Sequence, residues 1–156
     1  MKLYSKQEAI ARMNMLAGCS KSFVFLIDYS QEQVYVEETA EVSPEELIYN
    51  LNGFTNEAVA GLTDELLSEN LPEQIEQPVS FREYSRAFRH VKKNILAGNS
   101  FLTNLTCRTP VQTNLTLKDI YCSSRALYKV WVKNRFVVFS PEIFVRMDEG
   151  MISSYP

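Results

Sequence analysis

Arg135-Phe136-Val137-Val138-Phe139-Ser140-Pro141-Glu142-Ile143-Phe144-Val145-Arg146-Met147-Asp148-Glu149-Gly150-Met151-Ile152-Ser153-Ser154 is the stretch whose reading decides the fold. Arg135 to Phe139 and Ile143 to Met147 are runs of β-branched and aromatic residues bounded by turn formers, the pattern of short strands. Asp148-Glu149-Gly150 turns the chain into Met151 to Ser154, and Tyr128 to Lys133 supplies another strand upstream. Together these read as successive short antiparallel strands.

Working towards the N-terminus, four segments fit the S/T-x-x-D/E capping box, in which the cap hydroxyl accepts from an orphan amide and the acid reaches back to the cap. They begin at Ser5, Ser43, Ser80 and Thr116. The first predicts a helix carrying Ala9, Ile10, Met13 and Leu16 and stopping at Gly18. The second, with Pro44 at the first helical position, predicts a helix over Leu47, Ile48 and Leu51 that stops at Gly53. The third is the most regular, with Tyr84, Phe88, Val91 and Ile95 on one stripe and Gly98 as its end. The fourth covers Leu117 to Ala126. Phe23 to Asp28 and Gln33 to Glu37 flank a polar turn and read as a hairpin. Ser100 to Val111, rich in Thr, Leu and Phe, reads as a strand ended near Pro110. Strands and helices interleave without regular βαβ spacing, so the expected class is α+β, mainly antiparallel sheet flanked by helices. The polar stretch Gln74 to Ser80, with Pro72 and Pro78 beside it, marks a boundary between residues 1–78, a small α+β region, and residues 79–156.

Composition narrows the function. The chain has 156 residues, 46% hydrophobic and 22% charged, which supports a packed core. Sixteen basic and 19 acidic residues are dispersed, with a formal net charge of −3. No basic stripe is available to neutralise a row of phosphates, so nucleic-acid binding is not expected. The longest apolar run, Phe23 to Ile27, is far short of the ~20 residues that span a bilayer, and signal-peptide grammar is absent. Membrane association is therefore not expected, and a cytoplasmic location is. Cys19, Cys107 and Cys122 are odd in number without a C-x-x-C pair, and read as small buried hydrophobes in a reducing compartment. His90 is the only histidine. It lies among Arg89, Lys92 and Lys93 and reads as part of a solvated face. Trp131 and Tyr128 read as packing anchors.

The residue that stands out chemically is Glu142. Pro141 fixes its own φ and removes a ladder donor, so the turn before Glu142 is stiff. Along the following strand Glu142, Phe144 and Arg146 share one face, and Ile143, Val145 and Met147 the other. Arg146 is about 13 Å along the strand at ~3.3 Å per residue, too far for an intimate ion pair. In apolar surroundings Glu142 would keep the raised pKa that a general acid needs. Without more context, an exposed strand glutamate is the ordinary alternative.

Two ordered strings supply that context. Ile95-Leu96-Ala97-Gly98-Asn99 followed by Asn104-Leu105-Thr106, and Phe139-Ser140-Pro141-Glu142-Ile143-Phe144 followed by Ile152-Ser153-Ser154-Tyr155-Pro156, resemble the chorismate-binding family. That family includes anthranilate synthase, aminodeoxychorismate synthase and isochorismate synthase. The resemblance is strong from Phe81 to Pro156 and only topological before it. It implies that residues 79–156 are the start of the chorismate-binding domain, and that the chain is an incomplete part of the chorismate-binding (anthranilate synthase-like) fold, truncated at its C-terminus. It implies chorismate as substrate and Glu142 as the acid that protonates the departing C4 hydroxyl. A magnesium ion is implied as well, held by carboxylates that are not in this chain. The compact N-terminal part favours the aminodeoxychorismate branch, which leads to 4-aminobenzoate and folate. There a lysine two residues beyond Pro156 would attack C2 and a glutamine amidotransferase would deliver ammonia.

An anthranilate or isochorismate synthase component is the alternative within the family, and a non-catalytic binding or assembly module the alternative outside it. The expected continuation after Pro156 is lysine-glycine-threonine for the aminodeoxychorismate branch and alanine-glycine-threonine for anthranilate synthase. One departure bears on regulation: Tyr121 to Lys133 lacks the asparagine-proline-rich segment of many relatives, which puts a pocket built from that loop in doubt. A chain missing part of its sheet is also expected to be inactive alone and to self-associate through uncovered edges.

Overall fold

A computed structural model describes residues 1–61, 74–140, 143 and 145–154. In chain order its elements are β1 (Leu3–Tyr4), α1 (Lys6–Gly18), β2 (Phe23–Ile27), β3 (Val34–Glu38), β4 (Leu47–Leu51), β5 (Phe54–Thr55), β6 (Gln74–Glu76), α2 (Phe81–Leu96), β7 (Val111–Thr113), α3 (Leu117–Ser123), β8 (Tyr128–Val132), β9 (Phe136–Ser140), β10 (Val145–Asp148) and β11 (Met151–Ser154). The class is α+β, and every strand pairing is antiparallel. The chain divides into two compact units, Met1–Ser68 with Leu117–Pro156, and Glu69–Thr116. The 78/79 boundary read from the sequence cuts the chain along its length, whereas the pairing of β4 with β8 runs across it.

The larger unit is layered. Helix α1 begins at a complete Ser5–Glu8 capping box, as the sequence predicts. It buries Ala9 and Leu16 against Val34 and Val36, with Tyr4, Met13 and Phe23 alongside, while Ile10 stays exposed. Strand order β1-β3-β2 makes the first sheet, whose hairpin spans the predicted segments. Alternation sends Val24 and Tyr35 to the opposite face. There they join Val42, Leu47, Tyr49 and Val132 in one core. Leu47, Tyr49 and Val132 belong to the second sheet, order β5-β4-β8-β9. Its outer face sets Ile48 and Trp131 against Tyr121 of α3. The result is helix, sheet, sheet, helix. Burial of Leu47, Ile48, Val36 and Tyr121 to 0% exposure marks where the two sheets and α3 are densest.

Two expectations are corrected here. Leu47 to Leu51 is strand β4, not a helix. The Ser43 signal closes only one turn, with Glu46 and Leu47 both donating to the Ser43 carbonyl. The next five residues, Leu-Ile-Tyr-Asn-Leu, are too few to offset helix nucleation and are buried on both faces, which favours a central strand. Asn52 and Gly53 both have positive φ, 54° and 95°. That makes them a two-residue hairpin turn into β5 and not a helix stop, and the Asn-Gly pair was its signal. Ser100 to Val111 is likewise not a strand: the ladder is confined to Val111–Thr113, paired with β6. Phe101 and Leu102 are 95% and 86% exposed, so the apolar residues there gain nothing from a sheet.

Strand β5 is short, and an asparagine extends its work. Buried Asn56 accepts from the Tyr49 N–H (2.9 Å) and donates to the Leu47 carbonyl (2.9 Å) through its side-chain amide. It thus imitates a further strand residue along the edge of β4.

In the smaller unit, α2 starts at a complete Ser80–Glu83 capping box and is followed by Gly98 at φ 75°. The Tyr84, Phe88, Val91, Ile95 stripe is present but partly open, with the Tyr84 and Phe88 rings stacked 6.1 Å apart. His90 is exposed. Of the cysteines, all free, Cys19 is exposed and Cys107 and Cys122 are half-buried, which corrects the buried reading. Cys19 follows α1 directly and caps it with its N–H, a position at the surface. No helix among the described residues is long and apolar enough to cross a membrane.

Candidate functional site

Strand β9 ends at Ser140, which pairs with Tyr128 at the start of β8. Ile143 and then β10 follow along the chain. Glu142, the residue singled out by the sequence, lies outside the described residues, as do Pro141 and Phe144. The framework on either side is defined. Strand β10 pairs with β11 through a tight turn, Glu149 and Gly150 holding φ of 48° and 78°. Arg146 of β10 is exposed and bonds Asp148 two residues along its own strand at 2.6 Å. A pair so open to solvent contributes little to stability. Trp131, read as a packing anchor, is buried with Ile48 and Tyr121.

The second sheet carries a polar cluster that the sequence reading missed. The register places Asn50 opposite Lys129, and Lys129 opposite Phe139, the residue before Ser140. Alternation turns Asn50 and Lys129 to the same face as Ile48 and Trp131, towards α3. The Asn52-Gly53 turn and β5 then bring Glu57 into that face. Glu57 Oε1 accepts from the Tyr121 hydroxyl at 2.9 Å and pairs with Lys129 Nζ at 2.9 Å. Glu57 Oε2 accepts from Asn50 Nδ2 at 2.7 Å and from Thr55 Oγ1 at 3.2 Å. Lys129 Nζ also donates to the Ser124 carbonyl at 3.1 Å and stands 4.5 Å from the Tyr121 ring centroid.

The electrostatics follow. Burial alone would raise the Glu57 carboxyl, but the bonds from Lys129, Asn50 and Tyr121 outweigh it and hold the group below its ordinary value. Burial, then the bond to Glu57, pushes the Tyr121 phenol far above its usual range. Burial also raises the Cys122 thiol, ahead of the opposing pull of Lys118 and Lys129. A thiol kept protonated is a poor nucleophile. Glu57 is ionised with both oxygens engaged, so it has neither the pKa nor the free lone pair of a general acid or base. Its chemistry is that of a clamp: it ties the segment after β5 to α3 and to β8, directly behind the strand that leads to Ser140. Glu57 and Tyr121 are 64 residues apart, and no spacing rule links them. Among the described residues no three His, Cys, Asp or Glu side chains gather as a metal site.

Comparison with known proteins adds the family. Residues 5–156 match the profile described as chorismate binding enzyme. An uncharacterized PabA-like protein of Pasteurella multocida is 33% identical over 148 residues, 94% of this chain and 44% of that protein. An uncharacterized PabA-like protein of Haemophilus influenzae is 30% identical over 150 residues, 96% of this chain and 44% of that protein. The chain thus spans under half the length of these relatives. No solved structure matches it.

Proposed function

The chain belongs to the chorismate-binding enzyme family, and from that premise we propose that it is part of an aminodeoxychorismate synthase component, which replaces the C4 hydroxyl of chorismate with an amino group. The observation that carries the proposal is the ordered pair of strings, Ile95 to Thr106 and then Ser140-Pro141-Glu142, inside a chain that matches the family from residue 5 to its last residue. The PabA-like name of both relatives supports the 4-aminobenzoate branch over anthranilate or isochorismate formation.

In this reading Glu142 is the general acid. A hydroxyl is a poor leaving group, and a proton delivered to the C4 oxygen as the C–O bond lengthens lowers that barrier, an effect of typically 10²–10⁴-fold. The clamp behind β8 supports the reading from below. Lys129, held by Glu57 and the Ser124 carbonyl, stands opposite Phe139, so the strand that delivers the chain to Glu142 is braced on its α3 side. An acid that must meet one oxygen atom benefits from a rigid support. The magnesium ion implied by the family would have its ligands in other parts of the whole protein, and no step here is routed through it. A glutamine amidotransferase partner and a cytoplasmic location complete the proposal.

The test uses the full-length gene product with chorismate, ammonia and magnesium, its products separated by chromatography. Formation of 4-amino-4-deoxychorismate is expected, with turnover reduced at least about 100-fold in Glu142→Gln. Anthranilate or isochorismate as the product would move the protein to another branch. Folded protein that leaves chorismate untouched would favour the non-catalytic module.

A further inference from the structure

The turn between β4 and β5 is the pair Asn52-Gly53, with φ of 54° and 95°. Asparagine is one of the thermolabile residues. Its side-chain carbon Cγ is open to attack by the backbone nitrogen of the next residue. Glycine in that next place has no side chain to obstruct the approach. In the first step the Gly53 nitrogen gives its proton to solvent and its lone pair bonds Cγ of Asn52. The Cγ–Nδ2 bond breaks, ammonia leaves, and a succinimide ring remains. Water then adds to one of the two ring carbonyls and opens the ring to aspartate or isoaspartate.

In this turn the attacking nitrogen is restrained. The Gly53 N–H donates to Asn50 Oδ1 at 3.0 Å, and Asn50 Nδ2 donates to Glu57 Oε2 at 2.7 Å. A carboxylate only accepts, so Glu57 takes the nitrogen side of the Asn50 amide and leaves the oxygen side to Gly53. A carboxamide oxygen is too weak a base to remove the Gly53 proton. It keeps that proton on the nitrogen and fixes the peptide plane. The peptide group on the other side of Asn52 is held as well, its N–H donating to the Leu127 carbonyl at 2.7 Å.

We propose that Asn52-Gly53 is a site of deamidation, and that the Asn50 carboxamide, aimed by Glu57, holds the reaction back in the folded chain. The restraint is made wholly of contacts that the chain makes with itself. Isoaspartate would add a backbone methylene to a two-residue turn. The flanking pairs, Leu51 with Phe54 and Asn50 with Thr55, could not absorb it without a shift of register. Strand β5 and the Asn56 that follows it would then lose their places on β4, so the reaction ages the fold. The inference is independent of the reaction assigned above.

The experiment incubates the full-length gene product at neutral and mildly alkaline pH and locates deamidation by mass spectrometry of tryptic peptides. Asn56 falls in the same peptide, since no lysine or arginine lies between Lys21 and Arg82. Buried, with both side-chain amide atoms bonded, it is the internal reference that should stay unchanged in the folded protein. Asn52 should convert slowly in the folded parent and faster in urea, where the bond from Gly53 is lost. Asn50→Ala, at a pH and temperature where its urea curve shows it folded, should convert about 2–10 times faster than the parent, the factor one such hydrogen bond supplies. Tyr121→Phe loosens the same cluster but leaves Gly53 bonded to Asn50, and should keep the parent rate. A folded Asn50→Ala that converts no faster than the parent would overturn the proposal. So would equal acceleration in Tyr121→Phe, because lost stability alone would then account for the effect. Equal rates for the parent folded and in urea would overturn it too, a comparison that stands whether or not the Asn50 variant folds.

Discussion

Replacing Glu57 with alanine is the sharpest probe of the clamp behind β8. The substitution strips the acceptor from four donors at once: Lys129 Nζ, the Tyr121 hydroxyl, Asn50 Nδ2 and Thr55 Oγ1. Lys129 keeps only the Ser124 carbonyl and the Tyr121 ring, with its side chain 11% exposed. Tyr121, fully buried, has no water at hand to replace the carboxylate. Removing one member of a buried pair costs about 3–5 kcal/mol, and the 20% exposure of Glu57 places this case towards the lower end, ~3 kcal/mol. Trp131, the single tryptophan, packs against Tyr121, so its fluorescence in a urea titration reports the region directly. With a slope of about 1–3 kcal/mol/M, the midpoint should fall by roughly 1–3 M. A double-mutant cycle with Lys129→Met should return a coupling of about 1–3 kcal/mol, since that second change removes the stranded charge. A loss below about 0.5 kcal/mol, or no coupling, would mean that water screens the cluster and would refute the clamp.

The same group sets an acid limit. Because the folded-state pKa of Glu57 lies below its ordinary value of 4.5, its stabilisation is complete above that value and is lost as pH falls through the folded pKa. Urea midpoints measured from neutral to acid pH should drop less steeply in Glu57→Gln than in the parent. At the alkaline end, burial and then the Glu37 charge raise Tyr35 to about 12. Stability should therefore decline between an unfolded pKa of ~10 and about 12, where the unfolded state binds fewer protons, and ultraviolet difference spectra should show Tyr35, together with Tyr49 and Tyr121, ionising later than the other tyrosines. Gly53→Ala should destabilise by about 1 kcal/mol without touching any neighbour, because φ is 95° and a Cβ there meets nothing within 4 Å. Thermal unfolding that moved no lower would contradict the positive-φ turn.

What the sequence revealed was whatever is written locally. The Ser5 and Ser80 caps, the glycine stop of α2 and the β2–β3 hairpin each lie within a few residues, and each appears where its signals stand. Leu47 to Leu51 went astray because a genuine one-turn cap precedes it, while the fact that decides the segment, pairing with β8, lies far along the chain. Glu57, Tyr121 and Lys129 escaped for the same reason. None carries a motif, and only the pairing of Asn50 with Lys129 brings them together. Glu142 is the opposite case: its motif speaks from sequence, while its own placement lies outside the described residues.

The pairing of β4 with β8 also sets a clock. Strands β1 to β3 and α1 are complete once the first 40 or so residues have emerged from the ribosome, but β4 must wait for a partner roughly 80 residues later. At about 5–20 residues per second, that wait is on the order of 4–16 s. During it the inner face of the first sheet, Val24 and Tyr35, has no second sheet to cover it. The nascent chain therefore passes through seconds of exposed apolar surface on every round of synthesis, before the second sheet can close over it.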